Sequence, residues 1–413
     1  MPLIRPFAGL RPLPKHVAEV IAPPYDVLNS SEARQRVSGH PWSFLHISKP
    51  EIDLPPSTSP YSEAVYACGC ENLQRMLEAG ILKQDSQSYY YLYSLTMGNH
   101  QQIGLVAVAN TADYNSNRIR KHELTRPEKE DDRVHQIDAL NAQTGPVFLT
   151  YKYHPVIDAL VKTLTAQPPA VNLTADDGVI HTLWVVDNPA HIDTITTTFD
   201  SMDCLYIADG HHRSAAASRV AEQRRVNNPQ HTPNAPYNYF LSVIFPDNQM
   251  QILDYNRVVQ DLNGLTNSEF LARVSRSFEV KPSDKAVKPQ HSGEFGMFVN
   301  GQWYQLKIHP SKIPTNDPVA SLDVSLLTEH LLAPILGISD LRRDKRIDFV
   351  GGIRGLSELE KRVNSGEMAV AFALYPTSMS ALMAVADAKQ FMPPKSTWFE
   401  PKLADGLVSH LIG

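Results

Sequence analysis

The sequence predicts an α+β (mixed α/β) fold. Apolar runs that read as strands are joined in hairpins, and helices recur between them without the strict strand–helix alternation of a doubly wound sheet. No fixed-period repeat and no low-complexity block disturbs that pattern. With 413 residues there is room for two or three domains, at roughly 100–200 residues each.

The elements follow in order. From Pro2 to Pro60, "RPFAGLRPLP", "APPYDV" and "PEIDLPPSTSP" describe an extended, turn-rich region. Proline fixes φ and pushes its predecessor towards extended geometry. "AVYACGCENLQRMLEAGIL" is a helix by period, with Leu73, Met76 and Leu77 on one face. "YYYLYSLTM" and "IGLVAVAN" are strands joined at "GNHQQ", a hairpin signal. "VFLTYKY" is a strand, "VIDALVKTLTA" a helix, "HTLWVVD" a strand and "PAHIDTITTTF" a helix. "NYFLSVIFP", "QILDYNRVV", "FEVKP", "FGMFVN", "WYQLKIH" and "MAVAFALYP" supply further strands. "SEFLARVSRSF", "LDVSLLTEHLLAPILG" and "LSELEKRVNSG" are helices. The best linker-like stretch is "NPQHTPNAP", Asn228 to Pro236. It suggests an N-terminal region over 1–230 and a C-terminal α/β region over 237–413, which could share one site.

Bulk properties narrow the function classes. A net charge of −6 disfavours a nucleic-acid-coating role, which needs excess Lys and Arg. No run approaches the roughly 18 apolar residues of a membrane span. "MPLIRPFAGLRPLP" lacks the apolar core of a secretory signal. Three cysteines, Cys68, Cys70 and Cys204, show no metal-ligand spacing and fit a reducing cytoplasm.

The chemistry concentrates in "LYIADGHHRSAAASRVAEQRR", Leu205 to Arg225, where an apolar strand feeds directly into an alanine-rich helix. The first N–H groups of a helix lack intrahelical partners and its dipole draws anions, so such a junction is a ready phosphate site. Gly210 allows a tight turn and a close ligand approach. Arg213 offers a planar fork for phosphate oxygens. His211 and His212 can donate hydrogen bonds or move protons. Asp209 can hold a metal or take a proton, and Ser214 opens the helix compactly. A helix capped by Asp209 with solvated histidines is the bland alternative. Five such residues together weigh towards a built site. No G-x-x-x-x-G-K-[ST] loop occurs anywhere.

The densest charged run, Arg118 to Ile137, contains Pro127 and lacks an apolar stripe through its middle, so it reads as a loop. Lys121, His122, Glu123 and Arg126 could serve catalysis or a phosphate, or the run could be a salt-bridged surface. Glu123 is the favoured general base, being the acid flanked by groups that could orient it. "ISDLRRDKRIDFVGG" carries Arg346 and other cations for a polyphosphate, or is a helix-to-strand connection. "APPYDV" and "FLHISKPEID" could line a pocket, although a covering loop accounts for most of their residues. Lys395, Ser396 and Thr397 read as packing in a tail turn.

Taken together, "LIRPFAGLRP", "IAPPYDV", "SFLHISKPEIDLP", "KHELTRPEKEDDR", "TGPVFLTY", "IADGHHRSAAA" and "DKRIDFVGG" resemble, in this order, a bacterial and archaeal domain-of-unknown-function family, DUF1015. The DGHHR segment is also similar to the signature of the ParB and sulfiredoxin superfamily, whose members bind nucleotide phosphates at a G-x-x-R turn. Sulfiredoxins carry G-C-H-R there. His211 stands in the place of the reactive cysteine, which excludes sulfinic-acid reduction at that position. A D-G-H-x-R turn resembles that of free serine kinases, which phosphorylate L-serine with a glutamate base. That resemblance implies a ParB/sulfiredoxin-like nucleotide-binding core with added strands and helices. It implies a cytoplasmic kinase using Mg²⁺ and ATP or ADP, with free L-serine or a similar metabolite as acceptor.

In that scheme Glu123, Asp209, His211 and His212 are catalytic, and Asp209 is the metal ligand. Gly210, Arg213, Ser214, Lys121, His122, Arg126 and Arg346 bind phosphate or nucleotide. No membrane or nucleic-acid partner is implied, and a homodimer is compatible. The alternative is a ParB-like switch that binds CTP or ATP and hydrolyses it slowly.

Overall fold

The computed structural model describes residues 2–413, which divide into two units, residues 2–250 with 401–413, and residues 251–400. The stretch Asn228–Pro236, expected to separate domains, lies inside the first unit. There its backbone accepts from Asn238, whose Nδ2 donates to the Thr232 and Pro233 carbonyls at 3.0 and 3.1 Å. The chain leaves the first unit after Met250 and re-enters it at Pro401.

The first unit is built on a nine-stranded mixed sheet. Its strands are β1 (Ile4–Arg5), β2 (Tyr90–Met97), β3 (His100–Asn110), β4 (Ile119–Arg120), β5 (Val147–Tyr151), β6 (Val171–Thr174), β7 (Ile180–Val186), β8 (Leu205–Asp209) and β9 (Tyr239–Pro246). They lie in the order β4-β8-β5-β9-β3-β2-β7-β6, with β1 also on β3. β2 and β3 form the expected hairpin, Met97 opposite His100. Two pairs are parallel, β8 with β4 and β9 with β5, and the rest are antiparallel. This mixture makes the fold α+β, as the hairpins and interspersed helices predict.

Three helices frame the site: α1 (Glu63–Glu78), α2 (Pro127–Leu140) and α3 (His211–Asn227). Leu73 and Met76 of α1 are buried, as their spacing predicts. α2 corrects the sequence reading, which took Pro127 as a sign of loop. Pro127 stands in the first turn, where the missing N–H costs nothing. The apolar residues come late and at helical spacing, so Val134, Ile137 and Leu140 are buried while the first turns stay polar. Asn141 ends the helix in the left-handed conformation at φ 49°. The acidic residues of α2 meet arginines of α3: Asp131 with Arg219 at 2.7 Å and Asp138 with Arg224 at 3.0 Å.

The proline-rich N-terminal region is less extended than expected. It holds a helix at Ser30–Arg36, closed by a reciprocal capping box between Asn29 and Glu32. The core of the first unit, including Leu92, Leu149, Ile207, Ala216, Val220 and Ile244, lies between the sheet and its helices.

The second unit carries a six-stranded sheet of β10 (Tyr255–Val259), β11 (Phe278–Ser283), β12 (Glu294–Val299), β13 (Gln302–Ile308), β14 (Ile347–Gly351) and β15 (Val370–Leu374). Its order is β11-β13-β12-β15-β10-β14. "QILDYNRVV" splits at Asp254, because Gln251–Leu253 pairs instead with Trp398–Glu400, Gln251 opposite Glu400. The predicted helix from Leu322 begins as Asp323–Leu327 and widens into a π-turn over Thr328–Leu332.

Candidate active site

Leu205 pairs with Ile119 and Tyr206 with Arg120 in the parallel β4–β8 ladder. Parallel strands end at the same edge of a sheet, so the segment after β4 and the turn after β8 emerge side by side. This brings Lys121–Arg126 against Asp209–Arg213 across more than eighty residues of sequence.

At the turn Gly210 adopts φ 94°, a left-handed conformation that L side chains rarely take. A Cβ there would also come within 3.1 Å of Arg213 Nε. Asp209 Oδ1 accepts the Gly210 N–H at 2.8 Å. Its other oxygen stands 3.8 Å from both Arg213 NH2 and Lys402 Nζ. Desolvation works against ionisation, but Lys402, Arg213 and the Gly210 N–H prevail and bring the carboxyl down to about 2.

The two histidines have fixed roles. His211 is buried and its ring meets that of His122 edge-on at 4.4 Å. His211 Nε2 accepts from the His122 backbone N–H at 3.4 Å, so its Nδ1 carries the proton and stands 3.7 Å from Glu123 Oε2. Burial, with His122 close by, pushes His211 well below the ordinary histidine range. Burial likewise brings His122 down to about 4. Both rings are therefore neutral at pH 7. His212 is half-buried and its Nε2 accepts the Arg126 backbone N–H at 3.1 Å. Glu123, Arg126 and Asp209 form the open face, the Glu123 and Asp209 side chains being 46% and 40% exposed.

Several expected site residues sit elsewhere or face inward. Ser214 is fully buried and its hydroxyl donates to the His211 carbonyl at 3.0 Å, so it serves its own helix. Lys121 points its ammonium at the Tyr114 ring, 3.8 Å from the centroid. His211 and His122 lie behind the open face rather than on it. Arg346 belongs to the second unit and is committed there, to Asp344 at 2.8 Å and to the Leu336 carbonyl at 3.0 Å.

Beyond Arg213 lie residues from three distant segments. Arg213 NH1 donates to the Pro146 carbonyl, and its stem passes Gly145, where a Cβ would meet Arg213 Cδ at 3.4 Å. Behind it lies a cavity of about 30 Å³ lined by Tyr25, Ser48, Arg133, Arg213, Asp405 and apolar residues that include Ile137, Val147 and Phe240. Tyr25 and Ser48 come from "APPYDV" and "FLHISKPEID", so both segments do line a pocket. Asp405 arrives from the returning tail, fixed by a two-way backbone bridge with Ala22 at 2.9 and 3.1 Å. Burial, opposed by Arg213, pushes its carboxyl up to about 7. A tail acid separated by nearly two hundred residues from the turn leaves no local pattern to read.

A match to the family described as "Protein of unknown function (DUF1015)" spans residues 4–325. The chain belongs to the DUF1015 family. Three solved structures resemble it at low scores. A free serine kinase in complex with AMP is 12% identical, with TM-score 0.36, over 71% of this chain and 86% of that one. A conserved hypothetical protein from Pyrococcus furiosus is 13% identical, with TM-score 0.36, over 73% and 94%. SbnI from Staphylococcus aureus, truncated at its C-terminus, is 11% identical, with TM-score 0.37, over 74% and 87%. Likeness at this level establishes no activity. No curated protein matches the chain.

Proposed function

We propose that this DUF1015 protein is a phosphotransferase that moves phosphate from a nucleotide, ATP or ADP, to the hydroxyl of free L-serine or a similar metabolite. The observation that carries the reading is the parallel β4–β8 pair, which sets Glu123 beside the Asp209–Arg213 turn. Phosphoryl transfer asks a protein mainly for positioning and charge neutralisation. The N–H groups that open α3 and the Arg213 guanidinium supply positive potential for the donor phosphates. The acceptor oxygen bonds to phosphorus as the bond to the leaving nucleotide oxygen breaks, and Glu123 takes the hydroxyl proton. His211 Nδ1–H, 3.7 Å from that carboxylate in the free protein, would close on it and orient it when substrate binds, and the His122 N–H holds His211 in the tautomer that can do so.

Mg²⁺ would enter with the nucleotide. It is held largely by phosphate oxygens and water and needs only one or two carboxylates. Among the described residues no group of three or more metal-ligating side chains exists. Asp209 is the fitting partner, its carboxylate being ionised and partly open. Bound there, the ion would neutralise phosphate charge.

The test is product formation from purified protein with ATP or ADP and L-serine. Glu123→Gln should lower turnover by about 10²–10⁴-fold, the usual share of a general base, while nucleotide affinity is kept. Nucleotide binding with slow hydrolysis and no dependence on an acceptor would support a ParB-like switch instead.

A further inference from the structure

The tail over residues 401–413 is pinned to the first unit at several points. Asp405 and Ala22 exchange backbone hydrogen bonds at 2.9 and 3.1 Å, and Ser409 and Leu10 do so at 2.8 and 2.9 Å. His410 pairs with Gln143 in a short ladder, and the Ala404 N–H donates to the Tyr93 hydroxyl at 3.3 Å. Leu403, Ala404, Leu407 and Val408 are buried. Lys402, beside them, is the one lysine or arginine of this tail, and the anchoring fixes where its backbone stands.

That position is the turn after β8. Lys402 Nζ stands 3.8 Å from Asp209 Oδ2, the oxygen that Arg213 NH2 also approaches at 3.8 Å. Two cations thus share one carboxylate, and the N–H groups that open α3 add to the excess of positive charge. At this distance the ammonium makes no hydrogen bond to Asp209, so its donors are not committed to that carboxylate. The two cations differ in freedom. Arg213 is held by the Pro146 carbonyl and its side chain is 14% exposed, whereas Lys402 is 26% exposed on a flexible four-carbon stem. An anion that reaches the turn finds Arg213 fixed and draws Lys402 off the carboxylate onto itself. Cations on one oxygen lie close enough to grip adjacent phosphates of one chain.

We propose that Lys402 is a further catalytic residue, its ammonium holding the terminal phosphoryl of the nucleotide donor while Arg213 holds the phosphate before it. This rests on the phosphotransfer reading. The ammonium keeps its proton and forms no covalent bond. It neutralises charge on the oxygens that travel with phosphorus, which is the main demand of phosphoryl transfer. A nucleoside monophosphate offers Lys402 no second phosphate, so the contact makes the site favour ADP over AMP.

The experiment is calorimetric titration of the full chain with ADP and with AMP, Mg²⁺ present. Lys402→Met should weaken ADP by about 10–100-fold, the loss expected for one hydrogen bond between charged groups, and AMP by less than about threefold. Lys402→Arg keeps the charge and should recover most of the ADP affinity. A merely structural lysine would move both nucleotides together, so equal losses overturn the proposal, as does unchanged ADP binding in Lys402→Met. If Lys402→Met folds poorly, wild type decides. Peptide mapping after amine-selective acetylation should find Lys402 protected by ADP and reactive with AMP, and equal labelling in the two overturns the contact. The contact and the kinase reading fail separately. Phosphoserine made by Lys402→Met at the wild-type kcat would sink Lys402 and keep the kinase. Selective loss of ADP binding in Lys402→Met, without phosphoserine from wild type, would do the reverse.

Discussion

Asp209 and Asp405 both neighbour Arg213, and their surroundings drive them in opposite directions. Asp209 is held at about 2, below the ordinary carboxylate range, so its contribution to stability is present above about pH 4 and is lost as pH falls towards 2. Asp405, raised to about 7, keeps in the folded state a proton that the unfolded chain has already released. Its effect on stability therefore runs the other way: stability declines as pH rises from about 4 to about 7 and does not recover above. Asp405→Asn removes that penalty. In thermal melts the variant should exceed wild type by a few degrees at pH 8, at about 1.4 kcal/mol per pKa unit, with the gap closing towards pH 5. A variant that melts lower at pH 8 would show that the ionised carboxylate stabilises the fold. His122, brought down to about 4, and His211, pushed well below the ordinary histidine range, are both neutral near pH 7, so the kinase reading expects no limb near 6.5 from either ring in its pH–rate profile.

At the scale of elements, the site is a strand-to-helix junction that works only if the chain can reverse at Gly210. Gly210→Ala asks alanine to hold φ 94° and sets a methyl against Arg213. The expected cost is about 1–2 kcal/mol in melts, together with weaker nucleotide binding because Arg213 must move. Retained stability and affinity would mean that the turn is looser than its geometry implies. This junction was plain in the sequence, since strand, glycine and alanine-rich helix are local signals that need no partner. The neighbouring charged run shows the limit of such local signals. Its hydrophilic first turns look like loop in isolation, and only Arg219 and Arg224 on α3 explain why a helix would present Asp131 and Asp138 there. Glu123 stands out by its flanking residues, yet what brings it to the turn is the parallel register of β4 and β8, which periodicity does not encode. Ser48, Tyr25 and Asp405 were beyond reach as a set, because three distant segments meet only in the folded core.

Across the whole molecule, the chain interrupts one unit to build another. Gln251 and Glu400 face each other in a β-ladder, so the inserted unit begins and ends at one place. Joining Met250 to Pro401 through a short Gly/Ser linker should leave the first unit folded, with a cooperative melt and the nucleotide affinity of the full chain. An unfolded product would show that the two units depend on each other. The apolar patterning of both sheets was legible because alternation and hairpins are local, whereas the re-entry at Pro401 was not, because a tail returning to an earlier sheet has no signature of its own. That re-entry also sets a timetable. Lys402 and Asp405 leave the ribosome only after every residue of the insert, so a nascent chain shows its DGHHR bend for a long interval without the cation and the acid that finish it. On the phosphotransfer reading, ligand capture would wait until synthesis has passed the second unit.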